Sequence, residues 1–305
     1  VTLAARTTSD DDPAEASRPT DAAATPNQQP RWRSRLKPFL RPQIVVGAVI
    51  VASWLLVIVF VGVLAPHDPF ASLGPRLQAP SAQYLLGTDA LGRDVFSRVL
   101  YGARQSLPIA LVTIVIATVI GSAVGAVAGF FGGFVDAVLM RLADITMAFP
   151  SILLAMAVTA ALGPGLTHAF IAIVVVWWPI YARLIRGQIL SIKEREHVTA
   201  ATAIGMGPWK TLRKHVLPHA LTPVIVNATT DLGTIVILLA SLSFLGLGAL
   251  PPSPEWGAMI TDGSAHFYQW WIATGPGIAM VSVVLAINFL GDGLREVLDA
   301  RTRNR

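Results

Sequence analysis

The sequence predicts an all-α polytopic membrane protein with six transmembrane helices. Hydrophobic residues fill 53% of its 305 positions and charged residues only 13%, about half the ~25% share typical of soluble domains. The mean hydropathy of +0.60 leaves too little polar surface for a soluble fold. Six segments each approach the ~20 apolar residues that a helix needs to cross a ~30 Å hydrocarbon core. Cysteine is absent, which excludes disulfides, Cys-ligated metals, iron–sulfur clusters and thiol catalysis.

Residues 1–30 are a different material. Ala, Thr, Asp and Pro dominate, and Leu3 is the sole large aliphatic residue after Val1, the composition of a disordered tail. Asp10, Asp11 and Asp12 stand where a secretory signal would carry basic residues, and no apolar run follows them. Residues 31–65 form a basic anchor and the first span. Arg31, Arg33, Arg35, Lys37 and Arg41 precede the charge-free run Ile44–Ala65, and Pro66-His67-Asp68-Pro69 stops it.

The five remaining spans lie within residues 106–293. Ser106–Gly129 has Pro108 near its start, where a missing N–H costs little. Gly121, Gly125 and Gly129 repeat every fourth residue, a stripe that lets a second helix pack closely. The third segment carries Asp136, Arg141 and Asp144, then a charge-free Ile145–Leu162 that includes Pro150. Arg141 and Asp144 are spaced to pair on one helical face, or to line a gate. Ala169–Tyr181 continues to Leu190 with Arg183 and Arg186 at its far end. Leu221–Leu250 contains Asn227 and Asp231. A charge at the bilayer centre costs about 2.5–3.5 kcal/mol on insertion scales, so Asp231 either pairs internally or faces a polar path. Leu250-Pro251-Pro252 ends this segment. Trp271–Leu290 stops at Gly291-Asp292-Gly293, leaving 294–305 as a second tail.

Basic residues set the orientation. With the first tail inside, the inner segments hold 19 Lys and Arg and the outer segments four, Arg76, Arg93, Arg98 and Arg104. This bias puts both termini in the cytosol. Residues 66–105 are then extracytoplasmic. Within them Val95, Phe96, Val99 and Leu100 share a face of Arg93–Arg104, the pattern of an amphipathic helix on the outer membrane surface. Residues 188–219 form a cytosolic loop. Glu194–Ile204 reads as a helix ended by Gly205 in the left-handed region. Gly207-Pro208 restarts a helix with Trp209, Leu212 and Val216 on its apolar face and Lys210, Arg213 and Lys214 outward, and Pro218 closes it.

The chain lacks the chemistry of an enzyme. It has no Gly-x-x-x-x-Gly-Lys-Ser/Thr phosphate loop, no His-Glu-x-x-His and no Gly-x-Ser-x-Gly. His215 and His219 are four apart, but Pro218 lies between them and no further ligands accompany them, so they read as structural. The basic residues do not gather into one patch, which argues for a lipid bilayer as partner and against nucleic acid.

Several further runs carry a resemblance. Tyr84-Leu-Leu-Gly-Thr-Asp-Ala-Leu-Gly-Arg-Asp-Val-Phe-Ser-Arg98 and Tyr101-Gly-Ala-Arg104 resemble the outer segment of the C-type permease subunit of dipeptide/oligopeptide ABC importers. Thr199-Ala200-Ala201, Gly205 and His215-Val-Leu-Pro218 resemble the EAA loop of type I importers. Phe244-Leu-Gly-Leu-Gly248, Pro251-Pro-Ser-Pro-Glu-Trp-Gly257 and Asn288-Phe-Leu-Gly-Asp-Gly-Leu-Arg295 are similar to the same family. The likeness runs from about Ser81 to Arg301. Thr199 departs from it by replacing the loop's Glu, so any carboxylate role there is lost or moved to Glu196 or Glu194. Ala300 departs from the usual Asp-Pro-Arg ending.

The resemblance implies a type I importer permease fold and a non-catalytic subunit of the cytoplasmic membrane that forms half of a translocation path. It implies a second homologous permease, one or two ATP-binding cassette ATPases and an extracytoplasmic substrate-binding protein. ATP and Mg would sit on the ATPases, leaving this chain without a cofactor. Glu196, Thr199, Ala200, Ala201, Gly205, Trp209 and Leu212 would couple to the ATPases, and Asp231 and Asn227 would line the path. Di- or oligopeptides are the implied cargo, with nickel complexes the alternative. A self-contained secondary carrier fits less well, because no internal repeat is visible. A membrane hydrolase fits less well too, because no nucleophile–base pair is spaced for one.

Overall fold

The computed structural model describes residues 41–303, with side chains to Glu296. The expected disorder of 1–30, the basic run before Arg41 and the last two residues lie outside the described residues. The described residues form ten α-helices. They are α1 (Pro42–Leu64), α2 (Val95–Phe131), α3 (Gly133–Met147), α4 (Ser151–Leu162), α5 (Leu166–Lys193), α6 (Glu196–Ala203), α7 (Pro208–Thr211), α8 (Leu217–Phe244), α9 (Trp256–Ser264) and α10 (Trp271–Arg303). Five continuous stretches are long and apolar enough to cross a membrane: α1, α2, α5, α7 running into α8, and α10. The sixth is the pair α3–α4, bent by 91°.

The bend has a local cause. Pro150 precedes α4 with extended backbone (φ −55°, ψ 127°), where it cannot continue the α3 hydrogen-bond ladder. At the other end α3 hangs from Gly132 and Gly133, with φ of +67° and +58°, a left-handed pair that residues with Cβ adopt only at a cost. The third span is therefore broken, not straight.

Three other boundaries differ from expectation. The helix beginning near residue 93 is no separate surface helix but the start of α2. At 37 residues α2 rises about 55 Å, well beyond a ~30 Å core, so its first turns project from the bundle and Pro108 falls inside it. Its Val95, Val99 and Ala103 are covered by Trp256, Met259 and Trp271 of the same chain, not by lipid. Pro218 does not close a helix: α7 passes through a π turn, Leu212–Val216, into α8. The i→i+5 bonding ends at Leu217, and Pro218 sits in the first turn of α8, where no N–H is needed. Finally, α10 runs through Gly291 and Gly293 to Arg303. Those glycines are crossing points: a Cβ at Gly293 would lie 2.3 Å from Ile44 Cγ1 of α1, and one at Gly291 2.4 Å from Thr230 Cγ2 of α8.

The main core joins α2, α4, α5 and α8 through Ile114, Ala155, Tyr181, Ile185, Ile235 and Leu239. The glycine stripe sets its tightest contact. A Cβ at Gly121 would lie 2.3 Å from Trp178 O, and one at Gly125 2.1 Å from Ala182 O, both on α5. At one end of the bundle, residues 66–94 and 245–270 form a cap. Arg98, 2% exposed, holds it together. Its guanidinium donates to Pro69 O (3.1 Å), Pro252 O (3.3 Å) and Ser253 O (3.4 Å) and faces Asp89 at 3.6 Å. Trp256 is fully buried beneath, donating its Nε1–H to Val99 O at 3.0 Å and packing edge-on against Trp54. The α6–α7 loop occupies the opposite end.

Candidate functional site

Two features stand out on this scaffold. The first is the α6–α7 elbow. α6 is too short to be stable alone and is fixed by burying Val198 and Ala201 against the bundle. Glu196, Thr199 and Ala200 face outward. The helix ends on Gly205 at φ +84°, with Met206 N–H donating to Ala201 O at 3.1 Å, a left-handed close. Ile204, 81% exposed, and Trp209, 63% exposed, stand on either side of it. Trp209 is placed by Phe131 at the end of α2, ring centroids 5.2 Å apart. Lys193 Nζ, 3.2 Å from Phe130 O, ties the same corner.

Of the residues expected to couple, Ala201 is buried against its own chain and Leu212 lies in the main core, whereas Glu196, Thr199, Ala200, Gly205 and Trp209 are exposed. His219 packs edge-on against His197 of α6, centroids 5.6 Å apart, which makes it part of the loop's packing.

The second feature lies on α8. Asp231 is near the middle of this 28-residue helix, about 20 Å from either end. Its Oδ2 accepts hydrogen bonds from Tyr181 Oη at 2.7 Å and Trp177 Nε1 at 3.3 Å, both on α5. Gly121 lets α2 close on this site, since a Cβ there would lie 2.7 Å from Tyr181 Cβ. Thr118 and Ser122, flanking Gly121, have buried hydroxyl oxygens without a partner among the described residues, so the junction is polar on a third side. Tyr181 and Trp177 escaped the sequence reading. Their donor groups pointed to a buried acceptor, but nothing local indicated which one.

Asp231 belongs to a stripe. Asn227, Thr230, Asp231, Thr234, Ile237, Ser241 and Phe244 are wholly or partly exposed along one helical face, and from Gly233 to Ser243 α8 buries its other sides, whereas Ile225, Ala228, Thr229 and Leu232 before that are also exposed or half-buried. Beyond Ile237 the stripe meets an open cleft of about 270 Å³ lined by Ser241, Phe244, Leu245, Ile260 and Met280.

The guanidiniums of α5 are already engaged. Arg186 holds Asp136 of α3 through two hydrogen bonds of 2.6 Å, and Arg183 pairs with Asp144 of α3. The expected Arg141–Asp144 pair does not form. Asp144 turns instead to α5, whose basic side chains lie across from α3 once the elbow at Pro150 folds it back. Asp231 has no ion-pair partner among the described residues.

Comparison with known proteins places these features in context. Residues 121–304 match the family described as binding-protein-dependent transport system inner membrane component. The dipeptide transport system permease protein of Alkalihalophilus pseudofirmus is 42% identical over 278 residues, covering 90% of this chain and 91% of that one. The probable D,D-dipeptide transport system permease protein of Escherichia coli K12 is 43% identical over 285 residues, 92% and 96% of the two chains. The glutathione transport system permease protein of Shigella flexneri is 42% identical over 276 residues, 89% and 91%. A solved structure of the MetNI methionine ABC transporter, inward facing, matches with a TM-score of 0.55 and 24% identity over 66% of this chain and 96% of that one, which shows a shared fold.

Proposed function

The chain belongs to the family of binding-protein-dependent transport system inner membrane components, and on that premise we propose that it carries dipeptides or short oligopeptides inward. It is a non-catalytic membrane subunit of an ABC transport system, one whose other parts include an ATPase, a partner permease and a binding protein. In our reading both termini and the α6–α7 elbow face the cytosol, and the cap faces the binding protein. The 19-to-4 bias of basic residues supports this orientation. Reporter fusions after Asp262 and after Arg303 test it: the first should report extracytoplasmic and the second cytosolic, and cytosolic signals from both would overturn it.

The observation that carries the mechanism is the exposed elbow. Gly205, Ile204 and Trp209 form a small apolar projection on a loop pinned to the ends of α2 and α5. An ATPase that moves on binding ATP can push on it, and the pinned helices transmit the motion to the spans that enclose the path. Peptide cargo is favoured over nickel complexes, in line with relatives named for dipeptide and glutathione transport. The stripe through Asn227 and Asp231 forms one wall of the path.

Reconstitution with the partner permease, the ATPases and the binding protein tests the coupling. Gly205→Val strains a position at φ +84°, costing about 1–2 kcal/mol, and Ala200→Trp fills an exposed contact surface. Both should leave the complex assembled while uptake and cargo-stimulated ATP hydrolysis fall at least ~10-fold, ~1.4 kcal/mol of coupling. Full stimulated hydrolysis in both variants would remove the elbow from the mechanism.

A further inference from the structure

We infer that Asp231 is a mid-membrane recognition point for the ammonium group of the passing peptide. The inference rests on the reading of the α8 stripe as a wall of the path and adds what that wall binds.

Four polar residues, Asn227, Asp231, Thr234 and Ser241, lie wholly or partly exposed along one face of a spanning helix, while Thr230 beside them packs against Gly291 of α10. Against lipid each would raise the cost of insertion, and the carboxylate most of all. Against water the same face costs nothing.

Tyr181 and Trp177 both donate to Oδ2. Oδ1 accepts no hydrogen bond among the described residues and is not among the buried unpartnered oxygens. One oxygen is thus used to orient the group and the other is presented to the path. An ionised carboxylate only accepts hydrogen bonds, so its ligand is a donor.

Tyr181 and Trp177 are neutral and orient Asp231 without compensating it. The guanidiniums of α5 are taken by the acids of α3: Arg186 by Asp136 and Arg183 by Asp144. Asp231 is also the one Asp or Glu within α8, which contains no Lys or Arg. An uncompensated carboxylate in a narrow path between low-dielectric walls raises the local concentration of cations. Every peptide with a free N-terminus carries an α-ammonium whatever its side chains, and dipeptides, D,D-dipeptides and glutathione share it. A single carboxylate can therefore serve cargoes that differ elsewhere. The contact is one charge-assisted hydrogen bond, strong enough to orient cargo and weak enough to release it.

The absence of cysteine gives a direct test. Thr234→Cys places one thiol a turn from Asp231 on the same face. The assembled transporter in proteoliposomes is treated with a cationic or an anionic methanethiosulfonate reagent, and modification of this chain is followed by mass. Rates are normalised to those with free cysteine. The expected result is at least ~10-fold faster reaction with the cationic reagent, a preference abolished by Asp231→Asn and kept by Asp231→Glu. Millimolar alanyl-alanine should slow the cationic reaction, and N-acetyl-alanyl-alanine should not. Equal normalised rates for the two reagents would overturn the ammonium site while leaving the stripe as a wall of an aqueous path. No reaction with either reagent would overturn both readings. The comparison of the two reagents needs no change at Asp231, so it decides the matter even if Asp231→Asn fails to assemble.

Discussion

Replacing Gly125 by alanine should prise α2 away from α5, and the structure sets the size of the effect. The added Cβ would lie 2.1 Å from Ala182 O and 2.3 Å from Ile185 Cγ2. Apolar contacts are comfortable at about 3.5–4.0 Å, so the helices must separate by more than ~1 Å at the tightest point of their packing. A gap of 0.5–1 Å already forfeits a quarter to a half of the dispersion well, and the loss is spread along the interface. Overpacking of this kind costs about 1–3 kcal/mol. Gly121→Ala, with Trp178 O at 2.3 Å, falls in the same range. Gly129→Ala meets its nearest atom, Arg186 O, at 3.1 Å and should cost under ~1 kcal/mol. Gly62→Ala has nothing within 4 Å and should be neutral or gain the ~0.5–1 kcal/mol that alanine offers over glycine in a helix. At roughly 2–4 °C per kcal/mol for chains of this size, the thermal midpoint of the purified transporter should drop most for Gly125 and Gly121, little for Gly129 and not for Gly62. A Gly125→Ala midpoint within ~1 °C of the parent, or a larger loss at Gly129 than at Gly125, would refute the reasoning, because Gly121, Gly125 and Gly129 are all buried and only distance separates them.

Two further outcomes follow from the same geometry. Asp136→Asn keeps the shape but removes the charge that Arg186 grips, costing about 1.5–3 kcal/mol; exchanging the two, Asp136→Arg with Arg186→Asp, should recover at least half of it in a double-mutant cycle on the thermal midpoint. Trp256→Phe should cost about 1–2 kcal/mol for the bond lost to Val99 O and Trp256→Ala about 3–5 kcal/mol for the cavity, both read as lost surface expression and a lower midpoint; an alanine variant no worse than phenylalanine would mean the cap collapses around the gap.

The spans were legible because membrane length and hydropathy act locally: a run such as Ile44–Ala65 carries its own evidence. Pro150 lay inside the charge-free Ile145–Leu162 without marking a break, and the 91° bend at it goes with α3 pairing to Arg183 and Arg186 on another helix. Asp144 shows the general difficulty. Its partner Arg183 lies 39 residues away, while Arg141, three residues off, offered a pairing that spacing alone could not reject. The partners of Asp231 are 50 and 54 residues distant and equally invisible. Gly205 was readable from sequence because a left-handed helix end is a local event. Gly291 and Gly293 misled for the same reason: glycine also marks a crossing, and only the third dimension distinguishes a crossing from a stop. The face of Val95 and Val99 was recognised as apolar, but which medium would cover it was not contained in the segment.

Arg98 bears on how the chain is made. Two of its carbonyl acceptors belong to residues 154 and 155 positions further along the chain. At a synthesis rate of about 5–20 residues per second, a ribosome needs roughly 8–30 s to produce them. Throughout that interval the guanidinium stands at the head of a hydrophobic helix with only Asp89 and Pro69 within reach. The cap therefore cannot close until the fifth span has been inserted, and a nascent chain stalled before Pro252 should present an open, protease-sensitive segment at 66–94. A closed contact at Arg98 is therefore a mark, carried by one side chain, that the chain has been made past its fifth span.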